Sequence, residues 1–509
     1  GLNLSVADKL TISRQLDELG VGFIEGGWPG ANSRDTDFFR RAVDELDLRH
    51  AALTAFGATR KAGVAAADDP QVAALRESRA PYVTLVAKSH TRHVELALRT
   101  TLAENLEMIR DTVGHLTAEG QRVFLDAEHF FDGYRLDRPY ALEVLSTAFA
   151  AGAEVVAVCD TNGGMLPHWV SEIVEDAIAT TGGRVGIHAH NDTGCAVANS
   201  IAAVHAGATH VQGCINGYGE RTGNADLITT IANLQLKLGR QVLPDGLLAD
   251  STRIAHAIAE VTNFPPASRQ PYVGTSAFAH KAGLHASAIK VDPNLYQHLD
   301  PVEVGNNMRL LVSDMAGRAS IQLKSRQLGF DLSDSPEDKA LVAQVTDRVK
   351  ELESRGYTFE AADASFELLL VEAVQGARPS YFEVESWRVI TETGAVEEAV
   401  SEATVKLRAG GARIVTTGEG NGPVNALDHA LRQAIGQAYP EVEKFELIDY
   451  KVRIFDQGHG TDATTRVLIE TTDGESSWVT VGVGQNVIQA SWVALTDGLT
   501  FGLRRLHRS

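Results

Sequence analysis

The first 260 or so residues alternate short apolar runs with amphipathic helical stretches, and this alternation limits the possible folds more than any other feature. The runs fall at 21–27 (VGFIEGG), 51–57 (AALTAFG), 82–87 (YVTLVA), 122–131 (RVFLDAEHFF), 155–161 (VVAVCDT), 185–192 (VGIHAHND) and 210–217 (HVQGCING). Helical patterns such as 6–19, 102–116 and 142–151 lie between them; Ser5 and Asp8 give the first the pattern of a capping box. Apolar strands separated by helices demand parallel pairing through right-handed crossovers. Several runs end in residues that carry chemistry: Glu25, Asp126 and Glu128, Asp160 and Thr161, His188 and His190, Asn216. That is the functional rim of an α/β fold, the (β/α)8 TIM barrel. An open doubly wound sheet is the alternative, and no Gly-x-Gly-x-x-Gly follows an early strand to favour it.

Such a barrel closes with eight strands, and the runs number seven. The chain opens on a loop and a capped helix, in the place that would follow a strand. The first strand is therefore expected to be absent from this polypeptide, with whatever site groups it carries.

After a helical pattern at 254–261, Phe264-Pro-Pro-Ala-Ser-Arg-Gln-Pro271 breaks the alternation. A catalytic barrel is expected over 1–264. Residues 265–370 read as helical linker subdomains (279–289, 312–323 and the charged 336–355). Residues 371–509 read as an α+β domain, with strand-like runs at 381–391, 403–408, 446–454, 466–470 and 477–483. Helices are expected there at 423–438 and 487–499, and Asp473-Gly474 marks a hairpin turn. Gly482-Val-Gly-Gln-Asn486 either seats a small ligand at a helix N-terminus or simply caps the helix. No repeat of 20–50 residues and no low-complexity tract interrupts the chain.

Composition excludes some functions. A length of 509 residues suits two or three domains, and a formal net charge of −20 argues against a general nucleic-acid or anionic-membrane surface. It leaves room for a local basic pocket for a phosphorylated cofactor. Cys159, Cys195 and Cys214 lack zinc-finger spacing, and so sparse a set suggests a reducing cytoplasm without structural disulfides. No apolar run approaches the ~20 residues of a membrane span, and no basic, apolar leader opens the chain, so a cytoplasmic protein is expected.

His188 and His190 stand two apart on a strand, so both imidazoles project to one face at its C-terminal end. Asn224, in Gly219-Glu-Arg-Thr-Gly-Asn224 after the next strand, offers a third ligand. Two neutral imidazoles with oxygen donors suit a divalent ion that keeps positions open for substrate. The competing reading is a pair of packed or solvated histidines.

His188-Ala-His-Asn-Asp192, then Gly217-Tyr-Gly-Glu-Arg-Thr-Gly-Asn224, then Ala279-His-Lys-Ala-Gly-Leu-His285, resembles the isopropylmalate/homocitrate/citramalate synthase family. Glu25-Gly-Gly-Trp-Pro-Gly30, Val86-Ala-Lys-Ser89, Ala127-Glu-His-Phe-Phe-Asp-Gly-Tyr134, Cys159-Asp-Thr-Asn-Gly-Gly164 and Gly460-Thr-Asp-Ala-Thr-Thr-Arg466 look like its citramalate-forming branch. The match covers essentially the whole chain, including a C-terminal regulatory module.

The resemblance implies condensation of acetyl-CoA, as co-substrate, with a 2-keto acid. For this branch the keto acid is pyruvate and the products are (R)-citramalate and CoA, the committed step of a threonine-independent isoleucine route. It implies a divalent metal ion held by His188, His190 and Asn224, with Mn2+, Mg2+, Co2+ and Zn2+ all open. Glu128 resembles the family's catalytic-site glutamate; without the resemblance it reads as a surface carboxylate. Thr161 resembles the threonine that binds the keto-acid carboxylate; the other reading is a cap of the next turn. His285 resembles the histidine that helps deprotonate acetyl-CoA, with Tyr296 as its companion. In relatives this histidine comes from the partner subunit, which implies a homodimer. The C-terminal module implies a branched-chain amino acid effector, isoleucine for this branch. Asp160 and Glu220 read either as groups that orient the ligands or as ion-pair partners in packing, and His280 as structural.

One departure is large. The family's opening motif, Asp-Thr-Thr-Leu-Arg-Asp-Gly, supplies a metal-ligating aspartate and a substrate-binding arginine from the first barrel strand, and Gly1 resembles the residue just after it. This polypeptide is therefore expected to be inactive and to bind metal poorly, while the natural protein carrying that strand remains an expected enzyme; equal turnover by the two would refute this. Three alternatives compete: a 2-isopropylmalate or homocitrate synthase, a metal-dependent lyase or carboxyltransferase on the same barrel, and a truncated, non-catalytic amino-acid-sensing dimer. The regulatory domain and the 279–285 segment disfavour the second, and no biotin-attachment segment appears.

Overall fold

Seven parallel strands pair in chain order: β1 (Phe23–Gly27), β2 (Ala52–Ala58), β3 (Tyr82–Lys88), β4 (Arg122–Glu128), β5 (Val155–Asp160), β6 (Val185–Ala189) and β7 (His210–Gln212). This is a computed structural model, and it describes residues 2–264, 266–280, 283–310, 318–333, 335–393, 399–454 and 463–507. The chain divides into two compact units, Gly1–Phe278 with Asp300–Asn307, and Ala279–Leu299 with Met308–Ser509.

In the first unit a helix follows almost every strand, as parallel pairing requires. The helix Val6–Leu19 opens with the expected capping box: the Asp8 amide donates to Ser5 Oγ at 3.2 Å, and the Ser5 amide donates to Asp8 Oδ2 at 2.8 Å. The sheet curls on itself. Phe23 of β1 sits 4.8 Å from the Tyr82 ring of β3, 5.0 Å from Phe124 of β4 and 5.7 Å from His210 of β7. First and last strands thus share one plug of rings, as in a TIM barrel. On the outer face the helices bury their own Phe38, Phe39, Leu75, Ile109, Leu145 and Val174 in the core. Each such side chain contributes about 1.5–3 kcal/mol.

β6 stops at Ala189, β7 stops at Gln212 with residues 215–217 in a helical turn, and β4 too is shorter than its sequence suggests. Residues 130 and 131 open the helix Phe130–Leu136 instead of extending β4. His129 makes the break, in a left-handed conformation at φ 58°.

The second unit begins with β8 (Ala279–His280) paired in parallel with β9 (Arg309–Leu310), and carries the helices Gly283–Val291, Arg318–Gln327, Pro336–Ser354 and Asp363–Gln375. Of the helix expected at 312–323, residues 312–317 lie outside the described residues. Two antiparallel sheets follow: β10 (Phe382–Thr393), β11 (Ala399–Ala409) and β12 (Ala412–Gly420), then β13 (Glu446–Ile454), β14 (Thr465–Thr472) and β15 (Ser477–Gly484). Each ends in a helix, Pro423–Gly436 or Val487–Leu506.

These halves are copies of one βββα pattern, 64 residues apart in their matching positions. Thr416 Oγ1 donates to the Ala430 carbonyl at 2.8 Å, and Thr480 Oγ1 to the Ala494 carbonyl at 2.7 Å. A Cβ on Gly418 would lie 2.9 Å from the Ala426 carbonyl oxygen and 2.5 Å from the Ala430 amide nitrogen; one on Gly482 would strike the Ala490 carbonyl and lie 2.9 Å from the Ala494 amide nitrogen. Strand and helix backbones approach so closely there that only glycine fits. The helix starts differ. Asn486 caps its own helix by accepting the Ile488 amide at 2.8 Å, whereas Gly422 offers no side chain. The 482–486 segment is therefore a cap.

Candidate active site

The C-terminal ends of β1–β6, with the loop after β7, open on one cleft of about 460 Å³, lined by Glu25, Asp126, Glu128, Thr161, His188, His190 and Asn224, among others. Strand register assembles it: Lys88 stands beside Glu128 between β3 and β4, and His188 beside Gln212 between β6 and β7.

His188 and His190 project to the same side, ring centroids 5.2 Å apart. His188 Nδ1 lies 2.8 Å from Gln212 Oε1, and Gln212 Nε2 donates to Asp126 Oδ1 at 2.8 Å. Asp126 is buried, and burial with the nearby Glu128 charge raises its pKa. Surrounding protein and Asp126 also raise that of Glu25, tempered because the Glu25 side chain remains open to solvent in the cleft. Burial, His188 and Arg221 lower the pKa of His190, keeping its imidazole neutral over a wider pH range.

Arg221 organises the far wall. Its guanidinium forks onto both oxygens of Asp192 (2.8 and 2.9 Å), donates to the Thr161 carbonyl at 2.7 Å and to His190 Nδ1 at 2.9 Å. The Thr161 hydroxyl accepts the backbone N–H of His129 at 2.8 Å, so it ties two strand ends together and still has its own proton to donate. Glu128 is ion-paired with Lys88.

Asn224 enters next to His190 through an isolated backbone bridge. Its Nδ2 donates to Cys214 Sγ at 3.6 Å, a thiol pushed up to about 11 by burial. Its Oδ1 is buried with no hydrogen-bond partner among the described residues. Asp160 and Glu220 flank this arrangement, and Glu220 forms a loose ion pair with Arg221 at 4.0 Å. Asp160 accepts the Gly164 and Met165 amides at 3.0 and 3.1 Å and so holds its loop, and the Glu220 side chain is 87% exposed.

Among the described residues no group of three His, Cys, Asp or Glu side chains suffices to hold an ion. The donor set fits a divalent cation only with an amide oxygen, and the orphaned Asn224 Oδ1 supplies that chemistry. His190 as placed spends its Nδ1 lone pair on Arg221, so its proton sits on Nε2 and it joins such a set only once that guanidinium withdraws.

His285 and Tyr296 belong to the second unit. Their rings stack at 4.1 Å, with His280 5.9 Å from His285. Gln212, Lys88 and Arg221 are site residues that the sequence did not single out.

Family models match along the chain: HMGL-like over residues 1–258, the homocitrate synthase post-HMGL domain-like model over 272–356, and the LeuA allosteric (dimerisation) domain over 360–503. The chain belongs to the HMGL-like family, in the form that carries a LeuA dimerisation domain. Within it the chain resembles a Streptomyces coelicolor protein named (R)-citramalate synthase, 64% identical over 99% of this chain and 94% of that one. An (R)-citramalate synthase from Aquifex aeolicus is 47% identical over 99% and 95%. A probable 2-isopropylmalate synthase from Methanopyrus kandleri is 30% identical over 99% and 96%.

Proposed function

We propose that this protein condenses acetyl-CoA with pyruvate and hydrolyses the thioester, giving (R)-citramalate and CoA. Full-length identity of 44–64% to several (R)-citramalate synthases carries the reading, against 30% to an isopropylmalate synthase.

His188, His190 and Asn224 would hold a divalent ion, which when bound supplies Lewis-acid polarisation of the ketone. The Thr161 hydroxyl, anchored on the His129 amide, donates to the pyruvate carboxylate. His285, with Tyr296, takes a proton from the acetyl methyl group, a very weak carbon acid that needs a positioned base. The methyl carbon then attacks the ketone carbon, and the ketone oxygen gains a proton. Water cleaves the thioester, releasing CoA as the thiol. Glu128, its charge balanced by Lys88, is suited to guide the proton to that oxygen.

A homodimer and isoleucine feedback belong to the same proposal. The LeuA dimerisation match supports a second copy, as does the row Ile448, Tyr450, Val452 and Ile454 on β13, apolar yet 36–63% exposed. Thiol release from acetyl-CoA by the full-length protein with a panel of 2-keto acids, with and without Mn2+ and millimolar isoleucine, tests all of it. Pyruvate should give the highest kcat/KM and isoleucine should lower the rate. Preference for 2-ketoisovalerate overturns the substrate, and CoA release with no keto acid overturns the condensation. Ligand-dependent dimerisation without any thiol release would mean a sensing dimer.

A further inference from the structure

We propose that Gln212 is a positioning residue that fixes the proton of His188 and thereby decides which ring nitrogen keeps its lone pair. Three side chains and the directions their hydrogen bonds allow determine this. Asp126 as a carboxylate can only accept, so the Gln212 group 2.8 Å from its Oδ1 is the NH2 end. The amide oxygen must then face His188, and it lies 2.8 Å from Nδ1. A carbonyl oxygen also only accepts, so Nδ1 carries the hydrogen. A neutral imidazole has one, and Nε2 is left as a bare lone pair.

The Asp126–Gln212 half of the link does not join neighbouring strands. Asp126 stands on β4 and Gln212 on β7, three places apart in the sheet, so the chain of hydrogen bonds spans the curled interior. An amide in the middle transmits direction without setting a second charge beside Asp126. The neighbouring imidazole is set the opposite way: Arg221 can only donate, so His190 Nδ1 accepts and its proton sits on Nε2. Two histidines two positions apart are thus held in different tautomers by different partners. The consequence for ion binding rests on the function proposed above; the tautomer itself does not.

The test uses metal-free, 15N-histidine-labelled full chain at pH 8.5, above the value of about 7 to which burial raises Asp126, with the His188 signals identified by their loss in His188→Gln. Wild type should show His188 protonated on Nδ1. Gln212→Leu should move the proton toward Nε2 and raise the Mn2+ dissociation constant roughly 10–100-fold, the usual cost of losing such a partner. Gln212→Glu, whose carboxylate accepts from Nδ1, should keep the wild-type tautomer; Asp126→Asn, which no longer dictates the amide's direction, should give a mixture. A His188 protonated on Nε2 in wild type overturns the proposal, whether or not the variants fold. So does a tautomer unchanged by Gln212→Leu. If wild type binds no Mn2+, the metal reading fails instead, and the nitrogen signals still judge Gln212.

Discussion

Thr161 shows how one hydroxyl can serve structure and substrate together. Thr161→Val removes the donor proposed for the pyruvate carboxylate, and a hydrogen bond to a charged group contributes about 1.5–3 kcal/mol. We expect the KM for pyruvate to rise roughly 10–100-fold with a smaller change in kcat, measured by thiol release. The valine also orphans the His129 amide, so the melting temperature should fall, and Thr161→Ser should restore both. His210 makes a different prediction. Burial among aromatic rings, with Arg184 nearby, lowers its pKa from 6.5 to about 4. The unfolded chain therefore binds this proton first. Stability from the neutral ring is full above pH 6.5, falls as pH drops from about 6.5 toward 4, and levels off below, with a loss of at most about 3 kcal/mol. His210→Phe should flatten that part of a pH series of denaturant midpoints; an unchanged slope would mean the ring is not the cause.

The strands of the first unit were legible because each is a short apolar run between helical patterns, and β5 is buried at every position. The pair His188 and His190 was legible because strand periodicity alone puts both rings on one face. Other features were not. The end of β4 was hidden because Phe130 and Phe131 continue its hydrophobic run, and the turn is made by a histidine in a conformation that glycine usually marks. The helix Asp363–Gln375 lacks a side-chain cap, and residues 364–371 are all buried, so it shows little amphipathic signal. Gln212 carries no signature on a strand; only its register against His188 and the reach across to Asp126 give it a role. Arg221 stood inside a recognised motif, yet its grip on His190 depends on a loop's fold. The βββα duplication escaped notice because its 64-residue period exceeds the 20–50 residues of common repeats.

At the scale of the molecule, long-range ties matter most in the second unit. Arg504, near the C-terminus, forms a buried ion pair with Glu367, 137 residues earlier in the chain, their side chains only 8% and 6% exposed. Removing one partner takes away the counter-charge that the other faces across this buried contact. Arg504→Met should cost about 3–5 kcal/mol, and adding Glu367→Leu should recover most of it; calorimetry of the single and double variants checks this, and additive losses would count against it. The duplicated halves around this pair have a wider use. They amount to two sequences laid over one backbone within a single polypeptide. Positions 418 and 482, where a methyl group would collide with the facing carbonyl, hold the same residue in both; positions 422 and 486, which start the helices, hold glycine in one and asparagine in the other. The molecule thus keeps its own record of which identities geometry compels and which it leaves to choice.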